Sequence, residues 1–143
     1  MVSEDKREVL RRFIEEVING GNVRILPELV SPEHISHLPC GDHYGPEGVR
    51  IDIAGFRTGF PDLTLTLDAM IPCGEYITYR FIARGTHTGP FMGIPPTGRS
   101  VRIKGIGLDR YQNGKLQERW IQYDTASLLQ QLGLLPGPCL FED

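Results

Sequence analysis

The sequence predicts an α+β fold with helices first and antiparallel strands after them. Apolar residues recur at helical spacing from Val9 to Phe60, and from Leu63 onward their period changes to two. Asn113-Gly114, the strongest hairpin signal in the chain, joins two of the alternating segments. Helices that precede a strand meander pack on one face of its sheet. We therefore expect a cone-shaped barrel made of a strongly bent antiparallel sheet wrapped around N-terminal helices and enclosing an apolar pocket.

Three helical segments are predicted before the strands begin. The first is capped by Ser3 and ends at Gly20, and a weaker helical turn follows over Val23 to Leu29. The third begins at Pro46, which suits a first helical turn, and is stopped by Pro61. The apolar face of this third helix consists of Val49, Ile53, Phe56 and Phe60.

Four strands and a closing helix are predicted in the rest of the chain: Leu63–Ile71, Tyr76–His87, a strand from Ser100, Leu116–Tyr123, and a helix over Thr125–Leu132. Alternation places Tyr79 and His87 on the inward face of the second of these strands. Gly105 and Gly107 in the third strand suggest a bulge or a strong bend. The short segment His34–Leu38 is interpreted as an edge strand. The inward faces of the strands and the third helix would together line the pocket.

The composition favours one soluble domain that binds neither nucleic acid nor membrane. The chain has 143 residues, a net charge of −3 and a pI near 5.8, so the basic surface typical of nucleic-acid binding is not expected. No apolar run reaches membrane-spanning length, and the charged N-terminus lacks the apolar core of a signal peptide. Three widely spaced cysteines argue for a reducing compartment rather than a disulfide framework. We therefore expect a single domain over residues 1–143 in the cytoplasm.

Asp124 lies where the last strand passes into the closing helix, and two roles are open for it. If no bulge intervenes, alternation puts Asp124 on the same strand face as Trp120. A carboxylate beside a Trp on a partly buried face has a raised pKa that suits acid–base chemistry. That face would also hold Leu116, Glu118 and Gln122. Asp is equally a favoured helix N-cap, and local sequence alone favours this second role.

Histidines are further candidates for the pocket. His87 shares the inward parity of its strand, although a core histidine bonded to a backbone carbonyl is the commoner explanation. His37 is expected to face inward and His34 outward, and His43 in the loop CGDHYGPEG is expected in solvent. A metal site built from His37, His43, His87 and Asp124 would have no recognised ligand spacing, so no metal is expected.

The Gly/Pro-rich loop Gly89–Arg99 lacks the spacing of phosphate-binding motifs. It carries the apolar side chains of Phe91, Met92 and Ile94. These residues either form a lid over an apolar ligand or fix the loop to the core, and both interpretations stay open.

Two long segments are specific enough to identify a family. GTHTGPFMGIPPTGRSV (Gly85–Val101) fits the pattern GTHxGxFxGxPPTGR. DRYQNGKLQERWIQYDTASLLQQLG (Asp109–Gly133) contains the core R-x-x-x-G-K-x-x-E-x-W-x-x-x-D and a trailing QLG. Weaker support comes from His37, from the helix start GPEGV and from FPDL at Phe60–Leu63. Over nearly its whole length the chain resembles the SnoaL-like polyketide cyclases of the nuclear-transport-factor-2-like superfamily.

The resemblance implies a cofactor-independent cyclase, or a related acid–base enzyme, that acts on a bulky apolar carbonyl compound by intramolecular aldol chemistry. It implies that Asp124 is the general acid/base, that His87 assists it, and that His37 lines the same pocket. The expected substrate-binding residues are His37, Trp120, Tyr79, Phe91, Met92 and Phe56. It also implies a homodimer formed through the sheet and a small apolar molecule as the partner.

Two rival functions remain open. The same pocket could serve an isomerase, dehydratase or hydrolase, or it could bind a small apolar molecule without turnover. A substrate-dependent proton exchange would favour an enzyme, whereas thermal stabilisation by a ligand without turnover would favour a binder.

Overall fold

The computed structural model describes residues 5–137, which form one curved sheet with helices on its concave face. The strands are β1 (Val30–Leu38), β2 (Gly41–Tyr44), β3 (Thr64–Cys73), β4 (Tyr76–Thr86), β5 (Ser100–Gln112) and β6 (Lys115–Tyr123). The helices are α1 (Lys6–Arg12), its π-helical continuation (Phe13–Asn19), a 3₁₀ turn (Val23–Ile25), α2 (Leu26–Leu29), α3 (Gly45–Gly59) and α4 (Thr125–Gln131). The predicted Ser3 cap and Cys139 lie outside the described residues. The α+β class and the helices preceding the main strands are confirmed.

The sheet has the strand order β2-β1-β6-β5-β4-β3 and is open. The expected strongly bent sheet around N-terminal helices is confirmed, and it stays open, because β2 and β3 are edge strands that do not pair with each other. β1 is not an edge strand, because β2 folds back on it antiparallel and β6 pairs with its other side in parallel. All other pairings are antiparallel, as expected for a meander.

The N-terminal helices begin at a side-chain cap and bury one apolar stripe. Asp5 Oδ1 accepts a hydrogen bond from the backbone N–H of Arg7 at 3.0 Å, which satisfies one of the free amides at the start of α1. The buried stripe comprises Val9, Leu10, Phe13, Ile14 and Val17. It packs in the same apolar core as inward residues of β4, β5 and β6. None of the described helices is both long and apolar enough to cross a membrane.

A β-bulge in β6 decides which of its side chains reach the core. Tyr111 pairs with Leu116 and Arg110 pairs with Glu118, so β6 has one extra residue between the two pairs. The bulge reverses the alternation after Leu116, because an extra residue turns all later side chains to the other face. Arg119 is buried as a result, and Trp120 is partly exposed on the outer face.

The inward face predicted for β6 is therefore wrong beyond Leu116. The residues that the unbulged alternation placed inward, Glu118, Trp120, Gln122 and Asp124, follow the opposite parity from the buried Arg119 and Ile121. The condition attached to that prediction, the absence of a bulge, is not met.

The two glycines of β5 make room for aromatic rings instead of forming a bulge. The β4–β5 register runs without a shift past Gly105 and Gly107. A Cβ atom on Gly107 would lie 2.4 Å from the Tyr79 ring, and one on Gly105 would lie 2.2 Å from the Phe81 ring. Both rings therefore lie flat across β5 on the concave face, where only glycine leaves them space.

Gly107→Ala should lower the free energy of unfolding by about 1–3 kcal/mol, because the new methyl group would displace the Tyr79 ring. The matched control is Gly55→Ala, since a Cβ at this exposed position of α3 meets nothing within 4 Å. The control should be neutral or stabilising by up to about 1 kcal/mol. Urea denaturation of both variants measures the difference, and equal stabilities would contradict the assigned role of Gly107.

Candidate functional site

An apolar cavity lies between the concave face of the sheet and the helices. It holds about 1020 Å³ of empty space, the open mouth included. Ile53 and Phe56 line it from α3, Phe81 from β4, and Ile103 and Ile121 from β5 and β6. Its dimensions and apolar character are those of a small-molecule site.

A buried polar network forms one wall of this cavity. Asp109 is fully buried and accepts hydrogen bonds from the hydroxyls of Tyr79 (3.0 Å) and Tyr111 (2.9 Å). Arg119 donates from an NH2 group to the Tyr79 hydroxyl at 2.7 Å, and its Nε lies 3.6 Å from an Asp109 oxygen. Both Arg119 and Tyr79 line the cavity. The network thus holds a cationic, hydrogen-bond-donating group at the edge of an apolar space.

Electrostatics keep the Arg119 guanidinium charged. Burial lowers the pKa of Arg119, but Tyr79 and Asp109 raise it by more, so its pKa lies above the ordinary value. Burial raises the pKa of Asp109, whereas the charge of Arg119 and the two tyrosine hydroxyls oppose that rise. The Arg119 Nε atom is buried without a hydrogen-bond partner among the described residues. The arginine is therefore a cationic hydrogen-bond donor at the cavity wall.

A carboxylate and a histidine form a second polar group beside the cavity. Asp52 of α3 lines the cavity, its side chain is 12% exposed, and it makes an ion pair with His43 of β2. Burial raises the pKa of Asp52, while the charges of His43 and Arg119 lower it by less. His43 is half-buried against Asp52, so the expectation that it lies free in solvent is wrong.

Sequence reasoning missed Asp52, although a signal was present. Asp52 follows Val49 by three positions and precedes Phe56 by four, which puts it on the apolar face of the predicted third helix. Asp109 was missed in the same way, as a charged residue among the inward positions of β5. Arg119 gave no such signal, because only the bulge brings it inward.

The two histidines of β1 face the sides opposite to those expected, because His34 faces inward and His37 faces outward. His34 and Ser36 are buried, and Ser36 lines the cavity with its Oγ 2.7 Å from His34 Nε2. Burial lowers the pKa of His34 to about 3, so the ring is neutral at physiological pH. The parity was misjudged because Ile35, taken as an inward apolar residue, is only partly buried.

His37 lies outside the cavity with Trp120. The two rings stack with centroids 5.2 Å apart, and His37 bonds Glu118 at 2.7 Å and Asp42 at 2.9 Å. The hydrogen bond with Glu118, followed by that with Asp42, raises the pKa of His37. Neither His37 nor Trp120 lines the cavity.

His87 is buried as predicted and holds the loop that follows β4. Its Nδ1 accepts from the Thr97 backbone N–H at 3.2 Å and contacts the Thr97 hydroxyl at 3.0 Å. The ring stacks on Phe60, with centroids 5.3 Å apart. Because Nδ1 accepts a hydrogen bond, the proton of a neutral ring lies on Nε2, which has no partner among the described residues. His87 does not line the cavity.

Phe91 packs the loop Gly89–Arg99 against the core. The Phe91 ring packs against Phe60 and Phe56, with centroids 5.2 and 5.6 Å apart, and lines the cavity. Met92 is 64% exposed and does not line it. Of the two interpretations of this loop, packing on the core is the one that the contacts show.

Asp124 is the N-cap of α4. Its Oδ1 accepts from the backbone N–H of Ser127 at 2.9 Å, and the residue is exposed and absent from the cavity lining. Of the residues predicted from the sequence, Tyr79, Phe91 and Phe56 meet at the cavity. The catalytic or binding roles given to the others, Asp124, His87, His37, Trp120 and Met92, stay predictions that no contact with the cavity supports. No group of three or more potential metal-ligating side chains occurs within residues 5–137.

The sequence pattern of the SnoaL-like polyketide cyclases matches residues 8–132, which is most of the chain. The chain belongs to this family. Membership supports a role as a cyclase.

Individual relatives agree with the family assignment. The chain is 25% identical over 118 residues to the nogalonic acid methyl ester cyclase of Streptomyces nogalater, covering 80% of this chain and 88% of that enzyme. It is 25% identical over 127 residues to the aklanonic acid methyl ester cyclase AcmA of Streptomyces galilaeus, covering 87% and 88%. The crystal structure of IdmH, a candidate polyketide cyclase from Streptomyces antibioticus, superposes with a TM-score of 0.81 at 31% identity and covers 91% of this chain and 99% of that one.

Asp124→Ala should lower the free energy of unfolding by ~1 kcal/mol, because the amide of Ser127 loses its acceptor. Asp124→Asn, which keeps a capping oxygen, should cost little. Thermal or urea denaturation measures both. A large loss of activity in a folded Asp124→Asn protein would contradict a purely structural role.

Proposed function

We propose that the protein closes a ring in an apolar carbonyl compound by an intramolecular aldol reaction. The observation that carries the proposal is a buried, charged arginine at the wall of a mostly apolar cavity. Such a donor stabilises an oxygen that becomes negative, and it does so more strongly in a dry site than in water.

The reaction needs one deprotonation and one addition to a carbonyl group, and it needs no redox step. A base removes a proton from a carbon next to a carbonyl group, and the resulting enolate carries its charge on oxygen. The enolate carbon then forms a bond to a second carbonyl carbon, the π bond of that carbonyl breaks, and its oxygen takes a proton. In this proposal the Arg119 guanidinium donates a hydrogen bond to a carbonyl oxygen of the substrate. The step as written consumes no cofactor.

The apolar walls contribute by folding the substrate. A chain of carbonyl groups is flexible in water, and holding the two reacting carbons together removes much of the entropic cost of closure. The rings of Phe56, Phe81 and Phe91 line the cavity around that space. Nogalonic acid methyl ester and aklanonic acid methyl ester, named in the two relatives, are the first substrates to test.

A homodimer formed through the sheet is part of the proposal. Leu108 and Trp120 form a register pair on the outer face and are 38% and 36% exposed, and Ile106 beside them is 56% exposed. An apolar patch in the middle of a sheet face is typical of a subunit interface.

Sedimentation velocity should give the mass of a dimer, and Leu108→Glu should shift the measured mass toward that of the monomer. A wild-type protein that stays monomeric at high concentration would contradict the proposed homodimer.

Arg119→Lys should reduce ring closure by roughly 10²–10³-fold in kcat, because Lys keeps the charge but cannot present the same planar donors. The assay incubates nogalonic acid methyl ester with the protein and separates a product of unchanged mass by chromatography, since aldol closure is an isomerisation. The matched control is Arg80→Lys on the outer face, where Arg80 pairs with Asp68 at 3.0 Å.

Folding must be controlled, because removing one partner of a buried ion pair leaves the other charge uncompensated. The double variant Arg119→Met/Asp109→Asn removes both charges and should fold without closing the ring. Ring closure at the wild-type rate by this double variant would contradict the proposal. Stabilisation of the wild-type protein by the ester without any product would indicate a binder instead.

A further inference from the structure

We propose that Asp52 is the general base and acid of the cavity and that His43 positions it. This inference rests on the proposed function, because it assigns the group that moves the proton. Within the described residues, Asp52 is the only carboxylate that lines the cavity. The reaction needs one group that takes a proton from carbon and returns one to oxygen, and an aspartate can do both.

The helix fixes where the Asp52 carboxylate lies. Asp52 shares the inward face of α3 with Val49, Ile53 and Phe56, all of which line the cavity. With 12% of its side chain exposed, the carboxylate is shielded from bulk water. A rigid helical position is suited to catalysis, since small displacements of a catalytic group are costly.

His43 reaches Asp52 because the first turn of α3 packs tightly against β2. A Cβ atom at Gly48 would lie 3.1 Å from the Cβ of His43, so the glycine allows this close approach. The ion pair then joins the imidazole Nδ1 to one Asp52 oxygen, Oδ1. The other oxygen, Oδ2, makes no ion pair with the described residues.

Burial and charge together give Asp52 a reactivity suited to this role. Partial burial raises the pKa of its carboxyl group above the value in water, which makes the ionised form a stronger base. Arg119 also acts on this carboxylate from the β6 wall, since its charge lowers the same pKa. A base and an oxyanion-stabilising donor therefore share one cavity.

The proton balance is complete with these two groups. Ionised Asp52 takes a proton from the carbon next to the substrate carbonyl, and the enolate oxygen is held by Arg119. The enolate carbon forms its bond to the second carbonyl carbon, whose oxygen receives the proton from Asp52. The carboxylate is regenerated, so neither an additional reactant nor a redox partner is required.

The direct test is hydrogen exchange into β-tetralone, an apolar bicyclic ketone with acidic CH2 protons next to its carbonyl. The wild-type protein in deuterium oxide should accelerate deuterium incorporation, followed by mass spectrometry. Asp52→Asn should reduce this acceleration by about 10²-fold or more, since the amide cannot accept the proton. Asp52→Glu should retain part of it. The matched control Asp68→Asn removes an exposed carboxylate from the outer edge of the sheet and should exchange at the wild-type rate.

The pH profile of the His43→Gln variant distinguishes a positioning role of His43 from a merely structural one. The charged and titratable groups facing Asp52 are His43 from β2 and Arg119 and Tyr123 from β6. The interaction with His43 lowers the Asp52 pKa, so His43→Gln should raise that pKa further. The ionised carboxylate is the active form, and the rise of exchange rate with pH should therefore move to higher pH. An unchanged pH profile would contradict the positioning role.

The outcomes separate this inference from the proposed function. If Asp52→Asn folds, as shown by an unchanged circular dichroism spectrum, and still exchanges β-tetralone and closes the ester ring at wild-type rates, Asp52 is not the base, although the cyclase proposal stands. If the wild-type protein accelerates neither exchange nor ring closure, both proposals fail. If Arg119→Lys impairs ring closure and Asp52→Asn impairs both reactions, both are supported.

Discussion

The buried ion pair between Asp109 and Arg119 is the contact on which the arrangement of the cavity depends. Taking two charges out of water is costly, and pairing them and hydrogen-bonding their remaining polar atoms reduces that cost. The hydroxyls of Tyr79 and Tyr111 satisfy both Asp109 oxygens, and Tyr79 also accepts from Arg119. Phe13 lies under the guanidinium, 4.4 Å from its central carbon, and covers it with an aromatic face. An ion pair enclosed in this way holds the guanidinium at the edge of an apolar space.

The bulge in β6 is what makes this pair possible. Without the extra residue between Leu116 and Glu118, Arg119 would face outward and Trp120 inward, as the uninterrupted alternation requires. The bulge reverses both, so the cation enters the cavity and the indole joins the outer face. It also leaves Asp124 free to cap α4. One inserted residue therefore decides both the polarity of the inner wall and the apolar character of the outer face.

Periodicity was sufficient to predict the helices, the four long strands and the α+β class, because each of these depends on local spacing. It predicted the inward side of β4 correctly, since Ile77, Tyr79 and Phe81 alternate without interruption. It failed for β6, because no residue type in the sequence indicates the bulge. It also failed for β1, because this strand pairs with the distant strand β6. The family motifs identified the family correctly. They did not show which residues surround the cavity, since Asp52 and Arg119 are brought together only by tertiary packing.

The position of a bound ketone tests the central claim most directly, namely that the functional centre is the cavity wall between Arg119 and Asp52. A crystal structure of the protein with β-tetralone provides that position. We predict that the ketone oxygen lies within hydrogen-bond distance of Arg119 and that the acidic CH2 group faces the Asp52 carboxylate. A ketone bound outside the cavity, or bound in it with its oxygen turned away from Arg119, would contradict the account.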